Sequence, residues 1–300
     1  MRPILLLGKD GQVGWELQRS LAPLGPLVML GRQQCDLADL VQLRDIVRNT
    51  KPRLIVNAAA YTAVDRAEQE PDLALRVNSG APGVLAEEAR ALDIPLIHYS
   101  SDYVFDGEKA TPYVEDDKPN PLSVYGRTKL EGESAITAAG GRALIFRSSW
   151  VFGETGTNFV RTILRLAAER DTLRVVDDQI GAPTPAALIA DVTAHVIVCL
   201  DRESWPAEAQ IFHLAAAGPV SWHTYACTIV DKARELGMQL KLSSGAIQKI
   251  STDEYPLPAK RPRNSRLDCT RLMQRFSLVL PDWRPYLERM LRRTKTDFRH

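Results

Sequence analysis

The feature that most constrains the fold is the alternation of short apolar runs with helical stretches over the first half of the chain. The apolar runs occupy residues 4–7, 27–30, 54–57, 96–100 and 143–147. The stretches between them that carry helical periodicity are 12–21, 39–49, 73–92 and 123–139. Continuous apolar strands separated by helices are typical of a parallel sheet covered on both faces. The pattern therefore predicts an α/β protein built on a doubly wound parallel sheet, the Rossmann fold.

The alternation weakens after about Val151, where prolines divide the chain into shorter pieces. Helices are still predicted over residues 158–169, 186–200, 222–236 and 283–293. We expect residues 1–150 to form a dinucleotide-binding Rossmann domain and residues 151–300 to form mainly a smaller, mixed α/β substrate lobe. This boundary is soft, because it leaves room for segments that return to the Rossmann sheet.

Composition and charge exclude several classes of protein. The chain has 300 residues and 38 Lys and Arg against 37 Asp and Glu, so its charge favours neither nucleic acid nor an anionic membrane. No stretch approaches the ~18 apolar residues that a membrane-spanning helix needs. Four cysteines and five histidines are scattered without the spacing of a metal or redox motif. We therefore expect a cytoplasmic protein with reduced thiols and no metal.

A glycine loop, Gly8-Lys-Asp-Gly11-Gln-Val-Gly14, joins the first apolar run to the first helical stretch. Glycine at these positions permits a tight turn, close approach to a pyrophosphate, and close packing of helix against strand. The helix that follows presents free N–H groups and the positive end of its dipole to the phosphates. The loop predicts a dinucleotide site, against the alternative of a plain glycine turn.

The end of the second apolar run indicates which dinucleotide is bound. An acidic residue there would bind the ribose diol of NAD, but this chain has Gly31-Arg32. Because arginine pairs well with phosphate, Arg32 predicts NADPH as the cofactor, with NADH as the second candidate. The alternative interpretation of Arg32 is a solvated surface arginine without a role in binding. Asp36 and Leu37 are expected to flank the adenine. The small residues 57–60 would leave room for the cofactor.

The candidate catalytic residues are Tyr125, Lys129 and Ser101. A spacing of four places Tyr125 and Lys129 on one helical face, where the ammonium would lower the tyrosine pKa from ~10 toward neutrality. Such a tyrosine serves as a general acid near pH 7. Ser101 lies at the carboxyl end of a predicted strand, where this fold binds ligands, and would donate to a carbonyl oxygen. Alone, the Tyr-x-x-x-Lys pattern also fits an exposed helix pair.

In this order, the glycine loop, Ser101 and Tyr125/Lys129 resemble the extended short-chain dehydrogenases/reductases. Over essentially its whole length the chain is similar, more closely, to the dTDP-4-dehydrorhamnose reductase family. The motifs that carry this similarity are Gly-Lys-x-Gly-Gln-Val-Gly-Trp-Glu-Leu (8–17), Val-Asn-Ala-Ala-Ala (56–60), His-Tyr-Ser-Ser-Asp-Tyr-Val-Phe (98–105), Asn-Pro-Leu-Ser-Val-Tyr-Gly-Arg-Thr-Lys (120–129), Arg-Ser-Ser-Trp-Val (147–151), Asp-Gln-x-Gly-Ala-Pro-Thr (178–184) and Arg-Pro-x-Asn-Ser-Arg-Leu (261–267).

The resemblance implies a role for each matching position. Tyr125 would donate the proton, and Lys129 would hold the nicotinamide ribose and tune Tyr125. Further cofactor contacts are implied for Gly11, Gln12, Val13, Asp36, Leu37, Ala60, Tyr61, Thr62 and Tyr99. Substrate contacts are implied for Ser101, Asp102 and Trp150. Tyr103, Asn158, Pro183 and Asn264 are weaker candidates for the same pocket, which fit ordinary capping or packing equally well.

One departure from the resembled family concerns a metal ion. Some members dimerise through magnesium held by glutamates; Glu16 matches the first of these, but the other matching positions are Ala187 and Arg293. Magnesium requires several oxygen ligands, and an arginine would repel it. We therefore doubt a Mg²⁺ site and expect a monomer or a weak homodimer.

The resemblance implies reduction of the 4-keto group of dTDP-4-dehydro-β-L-rhamnose to dTDP-L-rhamnose, a precursor of surface polysaccharide such as lipopolysaccharide. Residue chemistry alone gives only carbonyl reduction. One alternative is a nucleotide-sugar dehydratase or epimerase, but dehydratases of this superfamily carry an Asp-Glu pair where this chain has Asp102-Tyr103. The other is a non-catalytic regulatory or binding subunit, which the complete Ser101, Tyr125 and Lys129 set disfavours.

Overall fold

The computed structural model describes residues 1–294; His300 and the last residues of the predicted lobe lie outside them. The strands are β1 (Ile4–Leu7), β2 (Leu27–Leu30), β3 (Leu54–Asn57), β4 (Leu96–Ser101), β5 (Ala143–Ser148), β6 (Val151–Phe152), β7 (Leu173–Val176), β8 (Ile180–Gly181), β9 (Thr184–Pro185), β10 (Gln210–His213), β11 (Val220–Ser221) and β12 (Ile247–Ile250). The helices are α1 (Gln12–Leu21), α2 (Leu40–Thr50), α3 (Val64–Ala67), α4 (Pro71–Leu75), α5 (Ala81–Ala91), α6 (Val124–Ala139), α7 (Phe159–Glu169), α8 (Ala186–Arg202), α9 (Trp222–Glu235), α10 (Thr270–Phe276) and α11 (Arg284–Thr294).

The central element is a parallel sheet with the strand order β10-β5-β4-β3-β1-β2. Its strands are all paired in parallel, with Leu5 of β1 opposite both Val28 of β2 and Ile55 of β3. The predicted doubly wound sheet is therefore confirmed. Strand β10 comes from the region assigned to the second lobe, so the Rossmann sheet extends beyond residue 150 of the chain.

Helices cover both faces of this sheet because alternate side chains of each strand point to opposite sides. On one face, Ile4 and Leu6 of β1 share a core with α1 and α8. On the other face, Leu5 and Leu7 pack with α2, α5 and α6. Helix α8 is thus a second element from beyond residue 150 that completes the Rossmann architecture.

The long helix predicted over residues 73–92 contains a π-helical turn at Arg76–Gly80, between α4 and α5. This turn places Asn78 between two other segments. Its side-chain oxygen accepts from Tyr61 N at 2.9 Å, and its Nδ2 donates to Thr128 Oγ1 of α6 at 3.2 Å. The turn therefore links α6 to the loop that follows β3.

Helix α6 begins at Val124, after Ser123 caps it by accepting a hydrogen bond from Gly126 N at 3.1 Å. Gly132 lets α6 approach the π-helical turn, because a Cβ at this position would lie 2.1 Å from the Asn78 carbonyl oxygen. The small residue and the cap together fix the position of the helix that carries Tyr125 and Lys129.

The remaining segments form a smaller lobe from short strand pairs and helices. Strand β7 pairs in parallel with β12, and β8 pairs antiparallel with β11. An aromatic cluster fills this lobe and comprises Trp150, Phe159, Trp222, Tyr225 and Trp283. Of the helices within residues 1–294, none combines the length and apolar character that crossing a membrane requires.

We predict that Gly132→Ala lowers the free energy of unfolding by about 1–3 kcal/mol, because the added methyl overlaps a backbone oxygen that cannot rotate away. Urea unfolding measures this loss. Gly245→Ala is the matched control, since no heavy atom lies within 4 Å of a Cβ there. Equal stability of the two variants would contradict the tight contact between α6 and the π-helical turn.

Candidate active site

A cavity of about 560 Å³ lies at the carboxyl ends of β1 to β4 and contains most of the predicted cofactor residues. The predicted residues that line it are Gly8, Gly11, Gln12, Val13, Arg32, Asp36, Leu37, Ala60, Tyr61, Thr62, Tyr99, Tyr125 and Lys129. Gly14 is not among them. It packs α1 against the loop, where a Cβ would lie 1.9 Å from the Gly8 carbonyl oxygen.

The glycine loop has the geometry that a pyrophosphate requires. Gly8 has a φ of +84°, and a Cβ on it would lie 2.6 Å from Ala59 N, so only glycine fits. Helix α1 starts after Gly11, and no side chain caps its N-terminus. Its first N–H groups are therefore available to an anion, as a dinucleotide site needs.

Lys129 is buried at the base of this cavity, where its Nζ donates to the Tyr99 carbonyl oxygen at 2.6 Å. The same nitrogen lies 3.3 Å from His98 Nε2. Burial lowers the pKa of Lys129 to about 8, and the Glu133 carboxylate one turn later opposes that change. The pKa of Lys129 therefore lies closer to neutral pH than that of a free lysine, and its side chain is oriented by β4.

The orientation of His98 follows from its neighbours. Ala59 N donates to Asn57 Oδ1 at 3.2 Å, which turns Asn57 Nδ2 toward His98 Nδ1 at 3.1 Å. Burial lowers the pKa of His98 well below its usual value, so the ring is neutral. We infer that Nδ1 accepts from Asn57 and that Nε2 carries the proton, which faces Lys129. A donor at this position disfavours the ammonium form of Lys129.

Tyr125 lines the cavity on the first turn of α6. Burial raises its pKa to about 12; a hydrogen bond with Ser101 opposes this change, and the Asp102 charge adds to it. That Lys129 lowers the Tyr125 pKa toward neutrality stays a prediction. In the ligand-free protein burial acts against it, and the Tyr99 carbonyl oxygen holds the Lys129 nitrogen.

Ser101 and Asp102 lie where β4 ends. Ser101 Oγ donates to Asp102 Oδ1 at 3.0 Å and accepts from Tyr103 N at 3.2 Å. Burial raises the pKa of Asp102 to about 6. The Ser265 side chain acts to lower this pKa, and among residues 1–294 no group lies within hydrogen-bond geometry of the buried Asp102 Oδ2. Because an unsatisfied buried acceptor is costly, this oxygen suits a hydroxyl group of a ligand.

A second cavity, of about 1030 Å³, lies in the smaller lobe and is lined by aromatic and basic side chains that include Phe159, Trp222, Lys260, Arg261 and Arg263. Arg261 connects it to the first cavity. Its Nη2 lies 2.7 Å from Asp65 Oδ2, and its guanidinium faces Tyr103. The Tyr103 ring meets the Tyr125 ring edge-on, with centroids 5.5 Å apart.

Most of the other predicted substrate residues have structural contacts. Trp150 stacks on Trp222 with ring centroids 3.5 Å apart, so one of its faces is already covered. Asn158 caps α7 and donates to Gln12 Oε1 at 2.9 Å. Pro183 is buried next to β9.

The prediction for Asn264 needs correction. Its Nδ2 donates to the carbonyl oxygens of Lys109 and Thr111, and its Oδ1 accepts from Arg266. These bonds use the whole amide group, and Asn264 lines neither large cavity. The structure therefore assigns it to holding two loops together rather than to contacting the substrate.

Arg261 and Trp222 were missed by sequence reasoning. Arg261 begins the motif 261–267 that carries the resemblance, so a signal for it was present. Trp222 follows Ser221 at the start of an amphipathic helix, and this pattern is equally typical of a residue in the core.

Three positions match those that hold magnesium in some members of the resembled family. They are Glu16, Ala187 and Arg293, and they lie together in a small cleft. Arg293 Nη1 lies 2.7 Å from Glu154 Oε2, so a cation already faces this carboxylate. Within the described part of the chain, no group of three or more His, Cys, Asp or Glu side chains is arranged to hold a metal ion.

The high pKa of Tyr125 predicts that the ligand-free protein shows no tyrosinate absorbance from this residue between pH 6 and about 10, since a pKa near 12 keeps the phenol protonated over this range. Ultraviolet difference titration of the unsubstituted protein against Tyr125→Phe measures it. A tyrosinate that appears near pH 7 and is missing from the variant would show that Lys129 controls the pKa after all.

Comparisons with known proteins identify the family of the chain. The family model described as RmlD substrate binding domain matches residues 1–296. The chain is 47% identical to dTDP-4-dehydrorhamnose reductase of Escherichia coli (strain K12), over 96% of each chain. It is also 47% identical to the enzyme of that name from Burkholderia thailandensis, over 94% of this chain and 95% of that one.

Solved structures give the same result. The dTDP-4-dehydrorhamnose reductase of Clostridium acetobutylicum superposes with a TM-score of 0.86 at 32% identity, covering 96% of this chain and 98% of that one. The enzyme of Bacillus anthracis, solved in complex with NADP, superposes with a TM-score of 0.85 at 31% identity, with the same coverage. A dTDP-glucose 4,6-dehydratase from Streptomyces venezuelae, 15% identical with a TM-score of 0.81, shares the fold. By family model, sequence and structure, this chain belongs to the dTDP-4-dehydrorhamnose reductase family.

Proposed function

We propose that the protein reduces the 4-keto group of dTDP-4-dehydro-β-L-rhamnose to dTDP-L-rhamnose with NADPH, the last step in making this activated sugar. The observation that carries the proposal is the position of Tyr125. Tyr125 lines the dinucleotide cavity, and its ring contacts the ring of Tyr103. Tyr103 in turn faces Arg261, which lines the second cavity. A proton donor thus lies where a cofactor and a sugar nucleotide would meet.

The residues of the first cavity fit a nicotinamide dinucleotide. The N-terminus of α1 and the glycine loop would receive the pyrophosphate, and Arg32 lies where it would meet a 2′-phosphate. Lys129 and Tyr99 would lie beside the nicotinamide ribose. When bound, NADPH supplies the hydride for the keto carbon.

Tyr125 supplies the proton for the carbonyl oxygen. A phenol with a pKa of about 12 is protonated at neutral pH, so the donor is ready without prior activation. The Ser101 hydroxyl, which acts to lower the pKa of this phenol, would bind the same carbonyl oxygen. Lys129 lies on the same face of α6 and, in its ammonium form, would stabilise the Tyr125 phenolate that remains after proton transfer.

The second cavity suits the nucleotide half of the substrate. Lys260, Arg261 and Arg263 would face the diphosphate, since basic side chains are the usual partners of phosphate groups. Phe159 and Trp222 offer apolar ring faces for the thymine base. Asp102 Oδ2 would accept a hydrogen bond from a sugar hydroxyl.

Tyr103 favours a reductase over a dehydratase. It occupies the position where a dehydratase would carry a second acid, and its ring packs against Tyr125 instead. We further propose that the protein acts as a monomer or weak homodimer without a bridging metal, since Arg293 pairs with Glu154 in the candidate cleft. Its four cysteines are free thiols, which suits the reducing cytoplasm.

The proposal predicts that Tyr125→Phe lowers turnover by at least about 100-fold, because general acid catalysis by a positioned side chain contributes ~10²–10⁴-fold. Loss of NADPH absorbance with dTDP-4-dehydro-β-L-rhamnose measures turnover, and fluorescence titration checks that NADPH still binds. Tyr286→Phe is the control, since this tyrosine lines neither of the two large cavities. Full activity of Tyr125→Phe would exclude Tyr125 as the proton donor.

A further inference from the structure

The carboxylate of Asp10, in the glycine loop, lies over the end of β2. A Cβ built on Gly31, which follows β2 directly, would lie 1.9 Å from Asp10 Oδ2. The carboxylate therefore occupies the space that a side chain at position 31 would enter. A larger residue at position 31 would have to displace this carboxylate, and the Gly31 N–H donates to Gln34 Oε1 at 3.0 Å.

This space is where doubly wound dinucleotide enzymes place the acid that recognises the adenosine ribose. In the common arrangement, the acid is the residue at the end of the second strand. Here the residue after that strand is Gly31, but the carboxylate of Asp10 reaches the same place from the neighbouring loop. Asp10, Gly31 and Arg32 all line the cofactor cavity.

Arg32 and Asp10, the two charged side chains at this end of the cavity, differ in how they are paired. Arg32 Nε lies 3.9 Å from Asp36 Oδ2, and the arginine side chain is 79% exposed, so it can turn toward a ligand. Within residues 1–294, no hydrogen bond or ion pair involves the Asp10 carboxylate, so both of its oxygens can accept from a ligand.

We propose that Asp10 is a cofactor-specificity residue whose carboxylate accepts hydrogen bonds from the ribose hydroxyls of NADH. The same carboxylate repels the 2′-phosphate of NADPH, which Arg32 attracts, so the opposed pair lets the site accept both cofactors. The inference rests on the proposed function only in requiring that this cavity binds a nicotinamide dinucleotide. The sequence analysis found no acid at the end of β2, where Gly31 and Arg32 stand; Asp10 supplies one from the glycine loop.

Binding of cofactor fragments tests the proposal without depending on turnover. Isothermal titration calorimetry with 5′-ADP, 2′,5′-ADP, NADH and NADPH compares the unsubstituted protein with Asp10→Asn and Arg32→Ala. We expect Asp10→Asn to weaken 5′-ADP and NADH by about tenfold, while 2′,5′-ADP and NADPH bind equally or more tightly. Arg32→Ala should weaken only the two ligands that carry a 2′-phosphate.

The control is Asp45→Asn, an exposed carboxylate that does not line the cavity, and it should change none of the four affinities. Asp10→Ser provides a second variant if Asp10→Asn folds poorly, as checked by circular dichroism. Equal changes for ligands with and without the 2′-phosphate, or no change, would overturn the role of Asp10. Failure of the unsubstituted protein to bind any of the four ligands would instead overturn the proposed function.

Discussion

The site depends on the burial of Lys129 between α6 and β4. Removing an amine from water is costly unless its hydrogen bonds are replaced, and the Tyr99 carbonyl oxygen at 2.6 Å replaces one. This contact requires the helix to lie close to the strand. Gly126 permits that approach, since a Cβ there would lie 2.2 Å from the Tyr103 carbonyl oxygen. The position of Tyr125, one turn earlier, follows from the same packing.

A buried ion pair also holds α6 against the sheet. Glu133 of α6 binds Arg147 of β5 through two hydrogen bonds of 2.6 and 2.9 Å, and Ser100 Oγ donates to the same carboxylate. Breaking a buried pair of this kind by removing one partner costs about 3–5 kcal/mol, because the other charge stays buried. The pair therefore ties α6 to β4 and β5 and stabilises the geometry around Lys129.

Much of this architecture was predictable from the sequence, because local patterns determine it. Apolar runs and helical periodicity located the main sheet and helices, and two of the predicted stretches begin at the residues that cap the helices, Ser123 and Asn158. Strand β10 was not predicted, because Gln210 and His213 interrupt its apolar character. The π-helical turn at Arg76–Gly80 was also missed, because it depends on how α6 packs rather than on local sequence.

The candidate site shows the same division. The glycine loop, Tyr125 and Lys129 are recognisable because the chemistry fixes residue types and spacing. The pKa of Tyr125 is not, since it reflects burial and the direction in which Lys129 points. Likewise, Asp10 reaches the ribose position through space from another loop, and a sequence pattern that inspects only the end of β2 cannot reveal it.

At this site, the keto carbon of the nucleotide sugar receives the hydride from NADPH, and its oxygen receives the proton from Tyr125. Transfer of deuterium tests this account most directly, using NADPH labelled on the transferring face of the nicotinamide and dTDP-4-dehydro-β-L-rhamnose. Mass spectrometry and NMR of the product should show dTDP-L-rhamnose with one deuterium at C4 of the sugar for each NADPH consumed. Product without deuterium at C4, or oxidation of NADPH without formation of dTDP-L-rhamnose, would contradict the account.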